Sequence, residues 1–236
     1  MKRNFFIQGL LAAGVISALA VPASANIITY VGYADELRPS PFFPNPWNGS
    51  AGVALYAGDT STNIDAGAIR LHNDGVSAVT INNLSVQINP GLSGPTFNLW
   101  SASFPFLLGA GMDAIFTQTV AYNFDTSDYA LVAPDLSNNC SVGALASSAL
   151  CLANIPTISL TVDGVTSDLL DTSHVLNTGG FDLALVSNSN ESLNWRPIGT
   201  TGVENPSGQS VPEPEALSLL GLGLAALGLI RTRRKA

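Results

Sequence analysis

The stretch "AIRLHNDGVSAVTINNLSVQI", Ala68 to Ile88, decides the fold class. Ile69 and Leu71 alternate with polar neighbours, Asn73-Asp74-Gly75 supplies turn residues, and Val79, Ile81, Leu84, Val86 and Ile88 form the next apolar series. Period-two alternation puts successive side chains on opposite faces, so each run reads as a strand with one buried face. The Asn-Asp-Gly break reads as a hairpin connection between antiparallel strands.

Working outward, the same pattern returns in "FNLWSASF" (Phe97 to Phe104), "DAIFTQTVAYNF" (Asp113 to Phe124), "TISLTVDGVTSDLL" (Thr157 to Leu170) and "FDLALVSN" (Phe181 to Asn188). Asp163-Gly164 and Gly179-Gly180 provide turns between strands. No segment of the body sustains helical periodicity, although "VGALASSAL" can make a turn or two. Many short strands between Gly, Asn, Asp and Pro turns predict an all-β chain folded as an antiparallel β-sandwich.

The two ends differ from this body. Lys2 and Arg3 precede an apolar run from Phe5 to Val21, and Ala23-Ser24-Ala25 supplies the small residues that signal peptidase requires. Residues 1–25 therefore read as a secretory leader cut after Ala25, so that the mature chain begins at Asn26. At the other end, "VPEPEALSLLGLGLAALGLIRTRRKA" runs from Val211 to Ala236. Its uncharged run, Ala216 to Ile230, includes Leu217, Leu220, Leu224 and Leu227. At about 1.5 Å per residue it spans about 22 Å as a helix, short of the roughly 30 Å hydrocarbon core. Arg231, Arg233, Arg234 and Lys235 follow at once and should stay on the cytoplasmic side, so export pauses with the body outside. Pro212 and Pro214 fix an extended backbone and remove amide donors, which keeps Pro212-Glu213-Pro214 out of the helix that follows.

This order of Pro-Glu-Pro, short apolar helix and basic tail resembles the PEP-CTERM sorting signal of Gram-negative bacteria. The resemblance implies recognition of Pro212, Glu213 and Pro214 by an exosortase, a membrane-embedded cysteine protease-transpeptidase, with the helix as a transient membrane stop. It also implies a place in exopolysaccharide and biofilm systems. Within the body, Ala66 to Thr119 resembles immunoglobulin-like adhesive modules and lamin-tail domains, through the Asn/Gly turn, the Ala78-Val79-Thr80-Ile81 strand and the later pair Phe97 and Trp100. That resemblance implies an immunoglobulin-like sandwich. The expected organisation is a leader at 1–25, a sandwich domain at 26–205, and a linker with the sorting signal at 206–236.

Without its ends the body is strongly acidic. Of nine Lys and Arg, two lie in the leader and four in the tail, leaving Arg38, Arg70 and Arg196. Fifteen of the seventeen Asp and Glu stay in the body, for a net charge near −12. Such a body repels phosphate backbones, so nucleic acid is not an expected partner. In an exported chain the only two cysteines, Cys140 and Cys151, are expected to form one disulfide across "CSVGALASSALC".

Chemistry-bearing patterns are few. His72 and His174 lack companion ligands at metal-binding spacing, and no Gly-rich phosphate loop follows a strand. A triad of Asp171, His174 and a serine can be drawn, but the Gly-x-Ser-x-Gly elbow is missing. Calcium is the one candidate cofactor, at Asp125 and Asp128 or at Asp163, Asp168 and Asp171; neither stretch matches an EF-hand loop or a Gly/Asp nonapeptide repeat. "DELRPSPFFPNPWNGS", Asp35 to Ser50, holds four prolines and three aromatics and cannot form a regular helix or a central strand. It reads as a packing strap or as a sugar-binding platform, with Trp47 and Trp195 as the candidate faces. Trp195-Arg196-Pro197 offers an indole beside a guanidinium, or a plain hairpin with Trp195 in the core.

The functional expectation is an exported, non-enzymatic structural or adhesive protein of the cell envelope or extracellular matrix. Its partners during export are signal peptidase and exosortase, with membrane contact through the terminal helix. The alternatives are a carbohydrate-binding module for exopolysaccharide and a secreted hydrolase.

Overall fold

The computed structural model describes residues 26–37, 40–122, 124, 126, 140, 147–177 and 191–202. The expected strand at 181–188, the Gly179-Gly180 turn and both terminal segments lie outside these residues. Ten strands are described: β1 (Asn26–Asp35), β2 (Val53–Ala57), β3 (Asp65–Asn73), β4 (Val79–Gln87), β5 (Thr96–Phe97), β6 (Phe106–Leu108), β7 (Asp113–Phe116), β8 (Thr157–Val162), β9 (Val165–Leu170) and β10 (Leu193–Gly202). One sheet has the order β10-β1-β3-β7-β2, and the other runs β5-β4-β8-β9 with β6 also on β4. The expected all-β sandwich is what forms. All pairs are antiparallel except β2 with β7, which the long intervening chain allows to run parallel.

Between the sheets lies one apolar layer. Ile27, Val31 and Tyr33 of β1, Ile69 and Leu71 of β3, and Ala114 and Phe116 of β7 meet Ile81, Leu84 and Val86 of β4 and Ile158 and Leu160 of β8. In β4 the inward set changes parity between Ile81 and Leu84. The register with β8 slips at Ile81/Asn83, where a bulge absorbs the extra residue.

The Asn73-Asp74-Gly75 turn does not close the expected hairpin. β3 and β4 belong to different sheets and face each other across the core. Five residues, Asp74 to Ala78, separate them, and the buried Asn73 side chain shapes the corner. Its amide donates to the carbonyls of Ser77 and Leu108 at 2.8 and 3.0 Å, and its oxygen accepts the N–H of Gly75. The true two-residue hairpin is Asp163-Gly164 between β8 and β9. Both residues have positive φ, 48° and 81°, as the primed turns of a twisted hairpin require.

"FNLWSASF" is also not the continuous strand expected. Only Thr96–Phe97 pairs with β4, and the chain then leaves the ladder for a 3-10 turn at Ser101–Ser103. The departure sinks Trp100 into the core at 1% exposure. Its rings lie 5.6 Å from Phe116 and 5.4 Å from Phe124, both edge-on, and its indole N–H donates to the Thr117 carbonyl at 2.7 Å.

Cys140 and Cys151 are joined, with Cα atoms 5.7 Å apart. Cys151 is buried in the short helix α1 (Ala149–Ala153), whose N-cap Ser148 accepts the N–H of Cys151. Closing an eleven-residue separation restricts the unfolded chain. The double change Cys140→Ala and Cys151→Ala is therefore expected to cost about 3 kcal/mol, read as a lower urea midpoint.

Candidate functional site

The face of the first sheet turned away from the core carries an aromatic cluster and a polar cluster. Alternation sends Tyr30, Gly32 and Ala34 of β1, Ala66, Ala68, Arg70 and His72 of β3, and Asp113 and Ile115 of β7 outward. Over one part of it lies the strap Ser40–Gly52, which has only turns and bends, as its prolines require. Trp47 packs on Ala34, Ile64, Ala66, Ala68 and Ile115.

The two platform candidates meet in this cluster. The Trp47 ring stacks on Trp195 at 5.8 Å and 26°, and meets Phe43 and Tyr56 edge-on at 5.2 and 5.7 Å. Trp47 is 8% exposed, so its faces belong to the protein; Trp195 is half-buried and keeps some exposure. Trp195 is not in the central core but on this outer cluster. Its indole N–H donates to the Pro46 carbonyl at 2.9 Å. Gly32 provides the seat: a Cβ there would stand 2.9 Å from Trp195 Cε3 and 3.0 Å from the Leu193 carbonyl.

Beside it, two residues back along β1 at Tyr30, sits a polar cluster. Arg70 Nε donates to Asp113 Oδ1 at 2.7 Å, and His72 Nδ1 lies 2.9 Å from the same oxygen. The Arg70 guanidinium stacks over the Tyr30 ring at 4.4 Å. The sequence reading did not group Tyr30, Gly32, Arg70, His72 and Asp113. The signal available was the scarcity of cations, since Arg70 is one of three in the body.

The other candidates are dispersed. Asp163 Oδ1 accepts the N–H of Thr80, and Asp168 accepts the Ser159 hydroxyl. Asp125 and Asp128 lie outside the described residues, and among the described residues no three His, Cys, Asp or Glu side chains gather as metal ligands. Asp171 and His174 share one buried turn. His174 Nδ1 lies 3.0 Å from Asn177 Oδ1, and the Asn177 amide donates to Asn89 Oδ1 and the Asn154 carbonyl. This is a polar plug within the fold, and no serine hydroxyl joins the described hydrogen bonds of His174.

Burial pushes the Asp171 carboxyl up to about 7, against the N–H of Leu176, which donates to Oδ2 at 2.8 Å, and the charge of Arg196. Burial pushes the His174 imidazole down, partly offset by Asn177. Between the ordinary carboxylate value of 3.8 and about 7, folded Asp171 holds a proton that the unfolded chain releases. Its contribution is thus present at low pH and lost as pH rises through 7. The full span is worth about 4 kcal/mol. His174 acts oppositely, with stability lost as pH falls below its ordinary range. Asp171→Asn removes the first effect alone. Between pH 5 and 8 the wild type should lose stability relative to that variant, in urea midpoints; parallel profiles would contradict the assignment.

Among the described residues no helix is long and apolar enough to cross a membrane. The sorting residues Pro212, Glu213 and Pro214, the stop and tail from Leu217 to Lys235, and the leader site at Ala23 and Ala25 lie outside the described residues. No curated protein and no solved structure matches the chain. The family described as "PEP-CTERM protein-sorting motif" matches residues 210–235, which span the Pro-Glu-Pro triplet, the apolar run and the basic cluster. The chain thus carries a PEP-CTERM protein-sorting motif, and that motif indicates an exported protein processed at the membrane by an exosortase.

Proposed function

We propose that this chain is a non-enzymatic structural or adhesive protein of the cell envelope or extracellular matrix, delivered by its leader and sorting signal. The observation that carries the reading is the sorting motif at 210–235 appended to a disulfide-joined sandwich. In this account the leader opens export, and the short apolar run pauses it. Cleavage beside Pro212-Glu213-Pro214 then frees the body for the cell surface or matrix. Matrix isolated from native cells and washed in high salt tests the role: the processed body should stay with the matrix. Complete release into the medium would refute a structural or adhesive role while leaving export intact.

A second reading, a carbohydrate-binding module, is favoured by the partly exposed Trp195 beside the Tyr30, Arg70, His72 and Asp113 cluster. A ring face and a guanidinium–carboxylate pair suit the C–H face and paired hydroxyls of a sugar. The net charge near −12 favours a neutral glycan over a polyanionic one. Retention on a neutral polysaccharide column that is lost in Trp195→Ala and Arg70→Met would support it, and unchanged retention in both would remove it.

A further inference from the structure

We propose that the strap Ser40–Gly52 is a latch: Trp47 covers the face of Trp195 that a sugar ring would take, and the glycan binds when the strap swings away. The proposal rests on the carbohydrate-binding reading and states how that site is gated.

In the closed form the protein occupies its own platform. Trp195 stacks on Trp47 at 5.8 Å and 26°, so this indole face is taken. The Trp195 indole N–H is engaged as well, by the Pro46 carbonyl at 2.9 Å. A pyranose stacks its C–H face on a bare ring. The Trp195 face becomes bare only when Trp47 leaves.

The strap is built to leave without opening the sandwich. It forms no strand ladder, and its described ties to β10 are two. The Asn45 N–H donates to Asn194 Oδ1 at 3.3 Å, and the Trp195 indole holds Pro46. Inside the strap, the Trp47 N–H donates to Ser50 Oγ and the Ser50 N–H to the Trp47 carbonyl, which close a local turn. The root stays fixed, because the Gly52 carbonyl accepts the N–H of Asp113 at 2.8 Å. Gly49 is the pivot: its φ is 82°, and a Cβ there would meet nothing within 4 Å. A segment held by side-chain packing and two ties opens at a lower cost than the strands beneath it.

Opening joins the ring face to the polar cluster. Gly32, which seats Trp195, pairs with Ala68, and two residues back along β1 Tyr30 pairs with Arg70. A sugar in place of the Trp47 ring rests on Trp195, accepts its freed N–H, and points hydroxyls toward Arg70 and Asp113. The closed strap competes with the ligand, so the apparent affinity is reduced by the open fraction.

The test uses the exported protein, with immobilised neutral exopolysaccharide from the native cells as the probe. Trp47→Ala removes the competitor and keeps Trp195, and it should bind about tenfold more tightly than wild type or better. Asn194→Ala removes the acceptor of the Asn45 N–H and should shift binding in the same direction; it decides the matter if circular dichroism shows Trp47→Ala unfolded. In wild type, saturating polysaccharide should speed hydrogen exchange of the Asn45 and Trp47 amides. Equal or weaker binding by the folded variants, or slowed exchange, with wild type still bound, would overturn the latch and leave the carbohydrate reading standing. Absence of binding by all three chains would remove that reading and the latch with it.

Discussion

A chain with Pro212, Glu213 and Pro214 all replaced by alanine is expected to be exported, to lose its leader, and to keep every residue through Ala236. The C-terminally processed product should fall below detection, and the body should collect in the membrane fraction. Two effects combine. The triplet proposed as the element that the exosortase recognises is gone, and the backbone around it changes character. Pro212 and Pro214 hold extended φ and lack N–H groups, whereas alanine is the strongest helix former. If Ala216 to Ile230 forms the helix proposed from its sequence, three alanines allow that helix to extend back over 211–215 and enclose the cut site in a helical ladder. The single change Glu213→Ala, with both prolines kept, separates the contributions, because extension is retained while the carboxylate is lost. Processing of the triple-alanine chain at the wild-type rate would show that the triplet is not the recognised element.

Trp100→Ala is expected to produce the largest loss of stability among single changes in the body, about 3–5 kcal/mol by the usual cost of emptying a buried aromatic site. Trp100 is buried to 1% and bridges Phe116 to Phe124. The change also leaves the Thr117 carbonyl without its indole donor inside the core. Domains of this size have about 5–15 kcal/mol in total, so the variant should sit near the edge of folding and export poorly. Trp195→Ala is the matched control, because its partly exposed ring has less buried surface to lose. Urea unfolding of the exported protein gives the comparison. Equal midpoints for the two variants would place Trp100 outside the packed core.

The sandwich was legible because one-sided burial writes itself as alternation, most clearly in β4 and β8. Asp163-Gly164 was legible because two consecutive positive φ angles restrict the residues that fit. The strap announced itself through the four prolines of the stretch Asp35 to Ser50. Sheet membership was hidden. A strand faces its partner across the core or lies beside it with the same alternating pattern, and only the buried Asn73 corner decides between them for β3 and β4. Trp100 misled for a related reason: an aromatic in an alternating run marks burial, whether the backbone stays in the ladder or leaves it. The outer-face cluster was invisible because pairing brings Arg70 to Asp113, forty-three residues away, with no local motif. The sorting signal lay at the other extreme, since all of its parts are contiguous and a tail needs no partner to be recognised.

The most direct test of the account is the intact mass and terminal peptides of the protein recovered from outside native cells. The expected product begins at Asn26 and ends between Val211 and Pro214, with Cys140 and Cys151 joined. A chain that still carries Leu217 to Ala236 would contradict the account, and the terminal helix would then be a permanent anchor rather than a sorting label.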